Sequence, residues 1–240
     1  SDGVHPRDEL ARAARAKGYQ YLVVTDHTQS LTIAHGLDPA RLDRQLDAIA
    51  RWNEANAEQD FRVLSGSEVD ILDDGSLDLP DECLERLDFV VASLHGSFKM
   101  PRERMTARVT RAVSSPHVDV MGHPTTRLVG DRAPVDFDFD AVLAAARGAR
   151  TAMELNASAN RMDLSAPMLK QAKEAGVKVV ISTDSHRLKE LDQMAWGVHQ
   201  ARRAWIEKKD VLNALPRAEF LAYVARVPHK EASETRAPGP

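Results

Sequence analysis

The chain has 240 residues, 43% of them hydrophobic, and a formal net charge of −4. That is enough apolar material for one α/β barrel or one large domain, and the acidic balance gives no general attraction to nucleic acid. A single cysteine, Cys83, excludes an intramolecular disulfide and any cysteine-based zinc cluster.

In chain order, Pro6 followed by acids and closed by Gly18 predicts a first helix. A strand over 20–27 follows, then a loop from Thr28 to Gly36 and a long helix opened by Asp38-Pro39 and running to about Asn56. A strand over 61–68 leads to a polar excursion over 73–80 and a short helix, which places Cys83 as a packing residue. Strand 88–95 precedes helix 102–114. Strand 118–123 precedes a loop rich in Arg, Gly and Asp, then helix 138–148. Strand 151–156, helix 165–175 and strand 177–183 complete the alternation. Helices are expected over 187–194, 197–208 and 218–225, and a frayed tail over 229–240. The one dense basic stretch, Arg202, Arg203, Lys208 and Lys209, reads as a solvated helix face.

Alternating strands and helices predict parallel β-α units. The chain opens on Ser1-Asp-Gly directly before a helix, where a strand-to-helix loop belongs. The expectation is a domain over 1–228 that lacks its first strand and starts inside the fold. There is no signal peptide and no membrane-length apolar run, so a soluble cytoplasmic protein without a membrane partner is expected.

The strands end in chemistry. Successive apolar runs close on Asp26-His27, Glu68, His95, His123, Asn156 and Asp184-Ser-His186. A parallel sheet or barrel gathers its strand C-termini at one mouth, where active sites of such folds lie. Carboxylates and imidazoles without thiolates suit Mn²⁺, Zn²⁺ or Fe²⁺. A lone Thr-Asp-His or Gly-His-Pro is more often a polar cluster or a turn; the series carries the metal-enzyme reading. Asp184 and His186 can both face the mouth only if the pleat relaxes between them. Gly66 and Gly122 allow either close backbone approach or simple turns. Asp26 and Ser185 are candidates to orient a histidine or to cap a strand. Histidines 5, 35, 117, 199 and 229 lack the strand-end pattern and read as surface or packing residues.

Asp2, Thr25-Asp-His27, Gly66-Ser-Glu68, Ser93-Leu-His95, Gly122-His-Pro124 and Thr183-Asp-Ser-His186 match in order the motifs of the PHP (polymerase and histidinol phosphatase) family. The segments 68–78, Asn160-Arg-Met-Asp-Leu164 and 197–205 resemble the C-terminal PHP domain of bacterial family X DNA polymerases. The resemblance covers about residues 1–215.

It implies a distorted (β/α)7 TIM-like barrel with a trinuclear metal centre. Asp2, His27 and His186 would hold one metal, and Glu68, His95 and His123 a second. Glu68 and Asp184 would share a third with a His-x-His pair on the first strand, which this chain does not contain. Two to three divalent ions are implied, manganese foremost and zinc or iron as alternatives. Glu68 and Asp184 would serve catalysis with a metal-held hydroxide attacking phosphorus in line. Arg161, Arg127 and Lys99 are candidates to contact substrate phosphate.

The implied activity is a Mn²⁺-dependent 3′–5′ exonuclease acting on DNA 3′ ends in repair, attached to upstream polymerase domains of the same protein that supply most of the DNA grip. The alternatives are a stand-alone phosphatase of a small phosphomonoester, such as histidinol phosphate, and a non-catalytic module that stabilises a polymerase.

Overall fold

The computed structural model describes residues 3–225. The predicted tail over 229–240 and the expected ligand Asp2 lie outside the described residues. Six strands form one parallel sheet in sequence order: β1 Tyr21–His27, β2 Arg62–Asp70, β3 Phe89–Ser93, β4 Val120–Met121, β5 Ala152–Asn156 and β6 Val179–Ser182. Between them run α1 Arg7–Ala16, which precedes β1, α2 Pro39–Ala55, α3 Asp81–Leu84, α4 Arg102–Val113, α5 Phe139–Ala149 and α6 Ala166–Glu174. Two helices, α7 Met194–Arg203 and α8 Arg217–Val224, close the described chain.

Local chemistry accounts for the boundaries. Asp38 accepts from the Arg41 backbone N–H at 2.8 Å and Pro39 takes the first helical position, so α2 starts where an N-cap and a preset φ coincide. Asp138 caps α5 in the same way through Ala141, at 3.0 Å. The helix expected after β6 is a 3₁₀ helix over Leu188–Gln193, and α7 spans 194–203 rather than 197–208. Strand β2 runs two residues beyond Glu68, because Asp70 and Ile71 keep extended pairing with β3 and its loop.

The period of two divides each strand between two environments. Outward residues Val69, Val90, Ala92, Met121, Met153, Leu155, Val179 and Ile181 pack under the helices in the larger core. Inward residues Leu64, Phe89, Val120, Ala152 and Val180 form an apolar layer at the strand N-termini, plugged by Leu212, Phe220 and Val224. One step up, Gly66 and Gly122 leave room for neighbours. A Cβ at Gly66 would lie 2.7 Å from Val23 Cγ1, and one at Gly122 only 2.3 Å from Ser93 Oγ. Close packing across the barrel interior, rather than turn geometry, decides both positions. Cys83 is buried, and burial pushes its thiol up, which keeps it inert.

The sheet curls until the rings of His27, at the end of β1, and His186, beyond β6, have centroids 6.1 Å apart. Lower down, β1 and β6 do not pair. Residues 211–215 bridge them there: Asn213 bonds both the N–H and the carbonyl of Ile181, and Tyr21 donates to the Leu215 carbonyl at 3.2 Å. A cavity of about 710 Å³ lies between the two edges and reaches the mouth. Among the described residues, no helix is long and apolar enough to cross a membrane.

Candidate metal centre

Glu68 is the hub of the mouth. The register places it beside His27 on β1, and the residue is 6% exposed. His123 Nε2 lies 2.9 Å from Glu68 Oε1, His95 Nε2 3.3 Å from the same oxygen, and His27 Nδ1 3.2 Å from Oε2. Burial alone would raise the Glu68 carboxyl; the bonds and charges of His123 and His95 outweigh it and hold the group well below the carboxylate range. Ligand atoms of His27, Glu68 and His95 all fall within 4.8 Å of one another. The rings of His27 and His95 stand 5.1 Å apart, and those of His95 and His123 5.3 Å apart.

Three imidazoles converging on one buried carboxylate, with no thiolate nearby, are a donor set suited to divalent first-row metals. His123 strengthens that fit. Its Nδ1 is buried and without a hydrogen-bond partner among the described residues, a state that costs free energy unless something binds it.

Behind this layer stand groups that orient it. His95 Nδ1 bonds to Asp70 Oδ1, which fixes the ring so that Nε2 faces Glu68. Burial would lower the His95 imidazole, yet Asp70 and Glu68 together raise it to about 10. Asp78, also buried, accepts from Thr28 Oγ1 at 2.5 Å, Ser30 N at 3.0 Å and Asp70 N at 3.1 Å. It ties the loop after β1 to the end of β2. Glu154 accepts from the backbone N–H of His123 and from the Ser182 hydroxyl. Burial, helped by the charge of Asp184 and opposed by His123, pushes its carboxyl up to about 7.

Asp70 and Glu154 escaped the sequence reading as site residues. The signal was available: Glu68-x-Asp70 and Glu154-x-Asn156 place two polar groups on one face of a strand otherwise apolar.

Asp184 sits at φ 50°, so the pleat breaks there, as the spacing to His186 requires. Its Oδ2 lies 3.2 Å from Asn156 Nδ2 and 3.5 Å from Arg161 Nε. His186 Nδ1–H donates to the Asp184 carbonyl at 2.9 Å. Asp184 and His186 thus flank the Glu68 cluster and line the same cavity. Ser185 bonds to Thr183 at 2.6 Å rather than to a histidine. Arg127 turns its guanidinium onto the carbonyls of Arg161 and Met162, while Lys99 is exposed on the loop after β3. His5, read as surface or packing, also lines the cavity.

No family model matches the chain. It is 44% identical over 227 residues to a DNA polymerase/3′-5′ exonuclease PolX of Bacillus subtilis (strain 168), covering 94% of this chain and 39% of that protein. It is 30% identical over 221 residues to a probable phosphatase of Thermoanaerobacter sp. (strain X514), covering 85% of this chain and 82% of that protein. The chain belongs to the PHP family. A crystal structure of histidinol phosphate phosphatase from Lactococcus lactis, complexed with zinc, L-histidinol and phosphate, superposes at a TM-score of 0.59. It has 15% identity and covers 86% of this PHP chain and 90% of that one. At that identity the likeness establishes the barrel fold alone, in agreement with the expected PHP architecture. The chain spans 39% of the length of the Bacillus relative.

Proposed function

We propose that this chain is a metal-dependent phosphoesterase that removes nucleotides from DNA 3′ ends, with manganese as its working metal. The observation that carries the reading is the convergence of His27, His95 and His123 on buried Glu68, in a chain 44% identical to a polymerase/3′-5′ exonuclease. On this reading Glu68, His95 and His123 would hold one metal, and His27 and His186 would contribute to a second; Asp2, expected with them, lies outside the described residues. Glu68 and Asp184 would face a third, which the family resemblance completes with a His-x-His pair that this chain does not contain.

Divalent ions held there supply Lewis-acid charge to phosphoryl oxygens and lower the pKa of water towards roughly 7. The chain's own residues then have defined tasks. Glu68 stays ionised at neutral pH, which keeps a negative charge at the centre of the cluster. Asp70 holds His95 in one orientation, and Glu154 holds the His123 backbone. Asn156 and Arg161 hold Asp184. Arg161 also keeps a buried Nη1 without a hydrogen-bond partner among the described residues, a donor suited to a phosphate oxygen. Arg127 supports the loop that carries Arg161 rather than touching substrate itself, and Lys99 stands outside as a solvated charge.

A second reading, phosphatase action on a small phosphomonoester, is favoured by the match over most of the Thermoanaerobacter protein. The two separate in one assay. Mn²⁺-loaded protein is given a 5′-labelled oligonucleotide and, in parallel, p-nitrophenyl phosphate and histidinol phosphate. Exonuclease action predicts higher kcat/KM on the oligonucleotide; faster turnover of the small esters would overturn it.

A further inference from the structure

The chain as a whole is acidic, and its one dense basic run lies on α7 and beyond. Folding makes a second, less obvious basic surface. Between α1 and α2 runs a groove of about 520 Å³ lined by Arg7, Arg12 and Arg15 from one helix and Arg51 from the other, over a floor of Trp52. Arg12, Arg15 and Arg51 are exposed, and Trp52 is 9% exposed. Asp8 is the one acid in the lining, and it pairs with Arg7 at 3.1 Å. Arg15 is steadied by Gln59. Among the described residues, Arg12 and Arg51 pair with no carboxylate. Four guanidiniums therefore face one carboxylate in a surface whose mean charge is negative.

Position gives the groove a direction. Arg7 lines both this groove and the large cavity that holds His27, Glu68, His123 and Asp184. From Arg7 to Arg15 the helix rises about 12 Å, roughly the length of three stacked nucleotides at ~3.4 Å each. An occupant that enters at Arg15 and passes Arg7 reaches the cavity that the metal-centre residues also line. A chain with a phosphate at every repeat meets both halves of that path: guanidiniums outside and a phosphoester site within.

We infer that the α1–α2 groove is a track for the backbone of a single nucleic-acid strand whose 3′ end lies in the mouth. The inference rests on the exonuclease reading for the mouth and adds the surface that holds the strand leading to it.

The test reads binding and turnover separately on the full chain. Fluorescence anisotropy of a 5′-labelled 12-nucleotide single strand in EDTA gives the Kd without cleavage. An Arg12→Ala/Arg51→Ala double variant alters exposed groups alone. It is expected to raise Kd by on the order of tenfold and to lower the salt slope, log K against log[salt], by about 1.4, two contacts at ~0.7 each. With Mn²⁺, the variant should raise KM for the 12-mer about as much and leave turnover of a dinucleotide unchanged.

An unchanged Kd and slope in the variant, or no binding by the native chain, overturns the track. So does displacement of the strand by poly-glutamate at lower concentration than by unlabelled oligonucleotide, which assigns the groove to an acidic protein segment. Failure of the native chain to hydrolyse any phosphoester sinks the activity reading instead, and leaves the binding result to stand.

Discussion

Asp70 offers the sharpest test of how the mouth is held together. Asp70→Asn keeps the side chain's shape and removes its charge. The backbone stays anchored, because Asp70 N–H is held by Asp78 Oδ1 and by Thr28 Oγ1, each at 3.1 Å. What changes is the partner of His95 Nδ1. A carboxylate there accepts only, so Nδ1 keeps its proton and Nε2 is the nitrogen that would lose its own to a metal; an amide accepts more weakly and can also donate. Losing such an outer partner weakens metal affinity by about 10–100-fold, or about 1.4–2.7 kcal/mol. The assay is competition against a chelating dye with Mn²⁺ and Zn²⁺, with an Asp78→Asn control. Asp78 accepts three hydrogen bonds but touches no histidine. Its replacement should cost about 1.5–3 kcal/mol of unfolding free energy and leave metal affinity within about threefold, well short of the loss expected for an outer partner. Equal metal affinities for native protein and Asp70→Asn would refute the assignment of Asp70 as the group that orients His95.

Three further outcomes are expected. Gly122→Ala puts a Cβ 2.3 Å from Ser93 Oγ and 2.6 Å from Val91 Cγ1, so urea unfolding should show a loss of about 1–3 kcal/mol; an unchanged midpoint would contradict the packing account. Tyr21 is half-buried and burial pushes its hydroxyl up to about 12. Its contribution is fully present below the unfolded value of about 10 and lost as pH rises towards 12, so Tyr21→Phe should flatten the alkaline limb of the stability curve. A chain extended upstream by a His-x-His strand should bind more metal per molecule than residues 1–240, read by elemental analysis; identical stoichiometry would remove the strand from the account.

Much of the site was legible because parallel strands turn chain order into spatial order. His27 ends β1, Glu68 lies two residues before the end of β2, and His95 and His123 lie two residues beyond β3 and β4, so the parallel order brings them to one rim. Glu68 needed no more than its place on β2 opposite His27. The rest was hidden for identifiable reasons. Asp70 lay beyond the expected strand end, so its two-residue spacing from Glu68 went unused until the continued pairing with β3 put both on one face. Arg127 was read only as a phosphate contact from its loop; its Nε and Nη2 also bond the main-chain carbonyls of residues 161 and 162, which no local pattern announces. The basic groove escaped because its arginines are spaced along two helices, diluted by acids on their other faces, and no dense run marks them. The helix after β6 was legible in its helix formers, but its 3₁₀ form over Leu188–Gln193 and the left-handed exit at Asp184 were not.

The most direct measurement of the central claim follows a 5′-labelled single-stranded oligonucleotide incubated with Mn²⁺ and the native chain, beside a His95→Ala/His123→Ala variant. A ladder shortening from the 3′ end is expected with the native chain, abolished by EDTA and absent from the variant. Equal cleavage by both proteins, or none by a native chain shown to have bound Mn²⁺, would contradict it.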